Sequence, residues 1–319
     1  MILFAPDTYL WAAAAVMLLL TLALFLLCRR TRRRWLRLPA LLFVLFGWYV
    51  LVYGTFFGIS DLTVRRVEFA SADLPASFDG YRIVQFGDAH VGSFNGWRQP
   101  ILSRAIDSIN AQHPDLIVFT GDLQNKTPDE IAPHLKLLQR LKANDGVCSV
   151  MGNHDYPLYV GGSEQQKAYS LAQTKNTEED LGWSLLNNTW RRIRRGEEHI
   201  YIAGMENDGV GRFPALGDIT SALTELSRKD FVVMLEHDPT AWRRKILTHS
   251  HCQLTLSGHT HGGQFSLFGW SPAMLSYREH SGMYYAGSRA VNVTSGLGGV
   301  VPFRFGMPPE IVVITLKKK

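Results

Sequence analysis

Five times along this chain a short apolar run stops at a cluster of polar residues. The runs 82–86, 116–120, 147–151, 231–235 and 253–257 lead respectively into Asp88 and His90, Asp122, Asn153 to Asp155, His237, and His259 with His261. Between the runs, apolar residues recur at helical spacing, as at Ile101, Ala105, Ile106 and Ile109, with Pro114 as a stop. The same spacing predicts helices over 131–141 and 219–226. Buried strands alternating with amphipathic helices build layered α/β structure, and such sheets place their sites in the crevice beyond the strand C-terminal ends. Gly87, Gly121, Gly152 and Gly258 stand at four of the clusters, where glycine permits tight turns and close backbone approach.

Taken singly, each cluster is weak: Asp-X-His arises by chance, and Gly-Asp is the composition of an ordinary turn. Their order is what constrains the chemistry. Carboxylates, imidazoles and one amide oxygen suit divalent transition-metal ions such as Mn, Fe, Zn or Co, and the absence of cysteine argues against a structural zinc cluster. Two such ions, about 3.5–4 Å apart, form a clamp for in-line displacement at phosphorus. His113, His134, His199, His249, His251 and His280 lack this placement and receive no role.

The N-terminal part has a different texture. Residues 9–27 and 38–57 are apolar and carry no ionisable residue apart from Tyr9, Tyr49 and Tyr53. Each run matches the length of about 20 residues that crosses a bilayer as a helix. The intervening loop, 29–37, holds six arginines and is expected on the cytoplasmic side, which places everything from about residue 60 outside the cytoplasm. A cleaved signal peptide fits poorly, since no basic segment precedes the first run and a second run follows. The expected division is therefore 1–58, two transmembrane helices, and 60–319, a single catalytic-type domain.

With the loop's six arginines and Asp7 set aside from 33 basic and 28 acidic residues, 27 of each remain, so no basic footprint supports nucleic-acid binding. Cys148 and Cys252 sit in strand-like surroundings and are expected to be buried thiols rather than a disulfide. A hairpin is expected over 190–203. Its Arg191, Arg192, Arg194 and Arg195 offer a phosphate or lipid-headgroup patch, although charged gatekeepers on an exposed strand are the favoured reading. The polar stretch 156–182 reads as a lid or as surface decoration.

Gly87-Asp88-Ala89-His90, Gly121-Asp122, Gly152-Asn153-His154-Asp155, His237 and Gly258-His259-Thr260-His261 resemble the ordered blocks of the calcineurin-like metallophosphoesterase superfamily. The resemblance covers roughly 64–316. Residues 74–80, 258–264 and 302–311 are similar to its membrane-anchored bacterial branch. It implies an α+β fold, a four-layer α/β/β/α sandwich, here preceded by a two-helix transmembrane hairpin. It also implies that Asp88, His90 and His261 hold one metal, that Asn153, His237 and His259 hold the second, and that Asp122 bridges both. A hydroxide shared by the ions then attacks phosphorus. His154 stands at the leaving oxygen as general acid, and Asp155 either orients that imidazole or, the favoured reading, caps the turn. No Asp-Arg-Gly follows Gly121-Asp122, so the chain does not resemble the protein serine/threonine phosphatases.

The implied protein is a membrane-anchored phosphohydrolase (phosphodiesterase, pyrophosphatase or phosphatase) with two divalent ions, sited outside the cytoplasm at a bacterial inner membrane. Lipid-linked or nucleotide-linked phosphates are its expected substrates, because the anchor keeps the site near the bilayer. A catalytically silent receptor or scaffold is the alternative, against which the complete ligand set argues. A transporter would need charged residues within the spans.

Overall fold

The computed structural model describes residues 4–30 and 34–319; Thr31, Arg32 and Arg33 of the arginine loop lie outside the described residues. Its helices are α1 (Pro6–Arg30), α2 (Arg37–Phe56), α3 (Gln99–Asn110), α4 (Leu135–Leu138), α5 (Glu164–Asp180), α6 (Ile219–Ala222) and α7 (Leu247–His249). The strands are β1 (Thr63–Ser71), β2 (Arg82–Phe86), β3 (Leu116–Phe119), β4 (Val147–Ser149), β5 (Ser184–Leu185), β6 (Thr189–Arg195) and β7 (Glu198–Gly204). They continue with β8 (Val232–Leu235), β9 (Leu254–Ser257), β10 (Gly282–Ala286), β11 (Arg289–Val293) and β12 (Glu310–Lys318).

Two six-stranded sheets result, in the orders β1-β12-β2-β3-β4-β5 and β10-β11-β9-β8-β7-β6. Because successive strand residues point to opposite faces, each apolar run supplies two cores. Ile83, Leu116, Val118, Val233 and Leu235 meet between the sheets. Val84, Ile117 and Phe119 turn outward and share a core with Leu102, Ile106 and Ile109 of α3. Val232 and Met234 turn outward on the other side against Trp242 and Ile246. This is the α+β sandwich of two facing sheets, and it brings the C-terminal ends of the parallel strands β2, β3, β4, β8 and β9 to one edge.

Two expected helices are shorter than their apolar spacing suggests. Pro133 lacks a backbone donor, and the stretch from Ile131 becomes a 3-10 turn, Ala132–His134, before α4. The helix over 219–226 ends at Ala222, and Glu225 beyond it adopts a left-handed φ of 68°. Cys148 and Cys252 are buried free thiols.

α1 and α2 pack together, with Trp48 Nε1 donating to Thr21 Oγ1 at 3.1 Å. Both are long and apolar enough to cross a membrane, with mean hydropathy 2.6 in an 18-residue window of Pro6–Arg30 and 2.0 in one of Arg37–Ser60. The end of α2 is not separate from the sandwich. Gly54 accepts the backbone N–H of Arg304 at 3.0 Å, and Ile59 is buried in the outer core of the first sheet.

Candidate metal centre

The five strand-end clusters converge. Donor atoms of Asp88, His90, Asp122 and His261 lie within 4.8 Å of one another, and so do those of Asp122, His237 and His259. Asp122 belongs to both groups. One of its oxygens, Oδ2, stands 3.6 Å from His90 Nε2 and 3.3 Å from His237 Nε2. His261 Nε2 lies 3.6 Å from Asp88 Oδ1. Asn153 adjoins the second group, its Oδ1 being 3.2 Å from His237 Nε2.

The turns reach this arrangement through strained backbone. Asp88, His90, Asp122, His259 and His261 all have φ between 45° and 72°, a left-handed region that costs a non-glycine residue about 1–2 kcal/mol. Such conformations persist where the surroundings over-determine them, and they gather at functional sites. Glycine makes room for the convergence: a Cβ at Gly121 would come 2.8 Å from His237 Nδ1, and one at Gly258 2.5 Å from Asp88 Oδ2.

Hydrogen bonds behind the cluster fix which ring nitrogen faces inward. A carbonyl only accepts, so His237 Nδ1, 2.7 Å from the Thr120 carbonyl, carries a proton and the ring directs Nε2 toward Asp122. His259 Nε2 meets the Tyr277 hydroxyl at 2.9 Å, which turns Nδ1 toward His237. Asn153 Nδ2 donates to the Tyr159 hydroxyl at 3.2 Å, which presents its oxygen to the cluster. Burial, then the charge of a nearby Asp (Asp122 for Tyr159, Asp238 for Tyr277), pushes both phenols up to about 12, so they remain protonated.

Burial also sets the charge state of the cluster. It lowers His90 to about 3, with His154 adding to the effect, and carries His261 well below the usual imidazole range, helped by His90. Burial raises Asp88 to about 7. For Asp122 burial acts in the same upward sense but is outweighed by His237, His154 and His90, which hold it well below the usual carboxylate range. His237 mirrors it: burial pulls down, yet Asp122 lifts it to about 10. Both ring nitrogens of His90 and Nδ1 of His261 are buried without a hydrogen-bond partner. Neutral imidazoles with unshared lone pairs around buried carboxylates fit a pair of divalent cations, and the donor set fits transition ions.

His154 stands at the edge of the cluster. Its ring is 4.8 Å from that of His90 and stacks on Tyr159 at 4.3 Å. Nδ1 is 2.6 Å from the Asn125 carbonyl, so Nε2 is the nitrogen left to act. Asp155 does not touch that ring. Its carboxylate accepts from the backbone N–H groups of Asp122, Leu123 and Gly152 at 2.7–2.8 Å, which caps the two turns carrying Asp122 and Asn153. Thr120, Asn125, Tyr159 and Tyr277 are not marked by the sequence pattern, because two act through backbone carbonyls and two lie in irregular segments.

The arginine hairpin, for which charged gatekeepers on an exposed strand are the favoured reading, lies apart from the cluster. β6 is the edge of the second sheet. Arg195 pairs with Asp115 at 2.6 Å and lies over the Tyr81 ring at 4.8 Å. Those two residues precede β3 and β2, so Arg195 sits at the strand-start end, opposite the cluster. Arg191 donates to Ser184 Oγ at 3.2 Å, while Arg192 and Arg194 face solvent. The 156–182 stretch is likewise no free flap: Thr174 of α5 is fully buried and donates to Gln124 Oε1 at 3.2 Å.

The profile of the Calcineurin-like phosphoesterase family matches residues 81–263, which contain every residue of the cluster. The chain belongs to that family. A Bacillus subtilis relative, the uncharacterized metallophosphoesterase YkuE, is 35% identical over 77% of this chain and 82% of its own length. An uncharacterized metallophosphoesterase of Aquifex aeolicus is 26% identical, covering 81% of this chain and 93% of that protein. A Danio rerio transmembrane protein with metallophosphoesterase domain is 29% identical over 84% of this chain, which spans 60% of that longer protein. The family likeness thus extends from bacteria to a vertebrate.

Proposed function

We propose that this chain is a membrane-anchored metallophosphoesterase in which Asp88, His90 and His261 hold one divalent transition ion and Asn153, His237 and His259 a second, with Asp122 shared. The observation that carries the reading is the single Asp122 carboxylate common to both donor groups. Bound there, two such ions supply Lewis acidity and neutralise charge on a phosphoryl group. His154 Nε2 delivers a proton to the leaving oxygen, its ring held by the Asn125 carbonyl and by the Tyr159 face. Asp155 acts as a positioning residue through the backbone of both turns.

α1 and α2 anchor the protein as a transmembrane hairpin, with the sandwich on the side opposite the arginine loop and outside the cytoplasm. Phosphate esters or anhydrides near the bilayer, lipid-linked ones first, are the substrates this anchoring favours.

The test is metal analysis and turnover of the full-length protein in detergent, with a soluble phosphodiester as probe. About two transition ions per chain are expected. Asp122→Asn should lose the most metal, and His154→Ala should keep its metal while losing rate by about a hundredfold or more. Full activity at near-zero metal content sinks the two-ion reading, and joint loss of metal and rate in His154→Ala makes that residue a ligand.

A further inference from the structure

Residues 264–277 contain no charged side chain, although they lie at the surface of a domain otherwise rich in them. They leave the cluster directly after His261 and return to it at Tyr277, whose hydroxyl meets His259. The excursion is tied down at its root, where Ser271 Oγ donates to the Gly262 carbonyl at 2.6 Å. Its tip is a two-residue hairpin. Leu267 and Trp270 exchange backbone hydrogen bonds of 2.9 and 3.0 Å, and the central Phe268 and Gly269 both have positive φ, 52° and 82°.

Such a turn favours Asn-Gly. Here a phenylalanine takes the first central position, held in a conformation unfavourable for it, with its side chain 100% exposed. Leu275 is 78% exposed, and Trp270 and Met274 are 49% and 44% exposed. Apolar side chains gathered and displayed in this way mark a surface that meets an apolar partner.

The position of the hairpin identifies that partner. Phe265, just before the tip, stacks on Phe305 at 5.7 Å, and Phe305 in turn lies edge-on to Phe46, Tyr49 and Tyr53 of α2 at 5.8–6.4 Å. Phe46 is ten residues before the end of α2, which at 1.5 Å per residue is about 15 Å into the helix. The hairpin therefore emerges beside the middle of an apolar helix whose own Leu45 and Phe43 are 54% and 67% exposed. Trp97, 52% exposed, stacks on Phe56 at the end of the same helix. Arg278, 76% exposed by its side chain, follows the uncharged stretch immediately, where a cation can reach headgroup phosphates.

We propose that residues 265–275 are a third membrane contact: a hairpin whose Phe268, Trp270 and Leu275 enter the leaflet beside the C-terminal half of α2. This inference rests on the reading of α1 and α2 as a bilayer anchor. It deepens that reading, because the hairpin connects His261 to Tyr277 and so holds this rim of the metal centre at the lipid surface. A phosphate ester whose tail stays in the leaflet reaches the site from the headgroup layer without being lifted out.

The experiment labels introduced cysteines with an environment-sensitive nitrobenzoxadiazole in the full-length protein, on a Cys28→Ser background in which Cys148 and Cys252 are buried and an unsubstituted sample measures any labelling of them, reconstituted in phosphatidylcholine/phosphatidylglycerol vesicles. Label positions are Phe268→Cys, Leu275→Cys, Leu45→Cys on α2, and Glu197→Cys in the exposed β6–β7 turn. Quenching by doxyl-labelled lipid and by aqueous iodide is then compared. The expected result is that labels at 268, 275 and 45 are blue-shifted and lose most of their emission to the lipid-borne quencher, while the label at 197 responds to iodide alone. If 45 is quenched from the lipid but 268 and 275 respond to iodide, the hairpin proposal is overturned and the anchor stands. If 45 also responds to iodide, the anchor reading falls, and the hairpin proposal with it.

Discussion

Asp155 receives the backbone N–H of Asp122 at 2.7 Å, across 33 residues of sequence and between the ends of two different strands. The same carboxylate takes Gly152 N–H at 2.8 Å, so one buried side chain sets the spacing of the turns bearing Asp122 and Asn153. Asp122 Oδ1 answers by accepting the backbone N–H of His154 at 2.7 Å. The two aspartates thereby lock the centre of the site from opposite sides.

Asp155→Ala should therefore damage metal binding without removing a donor. It leaves the buried N–H groups of Asp122, Leu123 and Gly152 unsatisfied, and each such group costs about 1–3 kcal/mol. The urea midpoint should fall, and chelator competition should show weaker metal affinity. Asp155→Asn, which retains an acceptor oxygen, should lie between the alanine variant and the parent. Unchanged metal affinity in Asp155→Ala would show that the turns hold their spacing without it.

The end of α2 gives a second test, because it is built into the sandwich. Arg304 is 1% exposed; its backbone N–H goes to Gly54, and its guanidinium donates to the carbonyls of Gly296 and Gly298 at 3.2 and 2.5 Å. Gly298 N–H in turn binds the Asp88 carbonyl at 2.8 Å. A chain begun at residue 60 loses the Gly54 acceptor and the burial of Ile59, the latter worth about 1.5–3 kcal/mol. In one detergent it should melt roughly 5 °C or more below a chain begun at residue 51. Equal melting temperatures would support residue 60 as the domain boundary.

What the sequence made legible follows from how each feature is encoded. Asp88, His90, Asp122, His237 and their companions could be read because each follows an apolar run that is buried on both faces, and glycine marks most of the turns. The insertion of β12 between β1 and β2 could not, since Val312 pairs with Gln85 and Arg65 across more than two hundred residues. The carbonyls of Thr120 and Asn125 were equally silent, because any residue supplies the same acceptor. Arg191 to Arg195 left two readings open for the opposite reason: side-chain charge was visible, but not which end of the sandwich the strand would occupy.

The last prediction concerns pH and comes from α5. Glu178 is fully buried beside Ser149 and Asp155, with neither oxygen in a well-formed hydrogen bond. Burial, reinforced by the charge of Asp155, raises its carboxyl well above the ordinary value of 4.5. The folded protein thus holds a proton that the unfolded chain releases near that value. The stability linked to this proton is fully present below the unfolded value and is lost as pH rises through the folded one. Glu236, raised in the same direction by its own burial, adds a parallel slope that both proteins share. The difference between the parent and Glu178→Gln removes that shared slope and reports Glu178 together with its interaction with Asp155. With excess Mn in both samples, their urea midpoints should nearly meet at pH about 4.5, and the variant should become progressively the more stable of the two as pH rises above that. Curves that run parallel across this window would mean that Glu178 finds a partner that keeps it charged in the folded state.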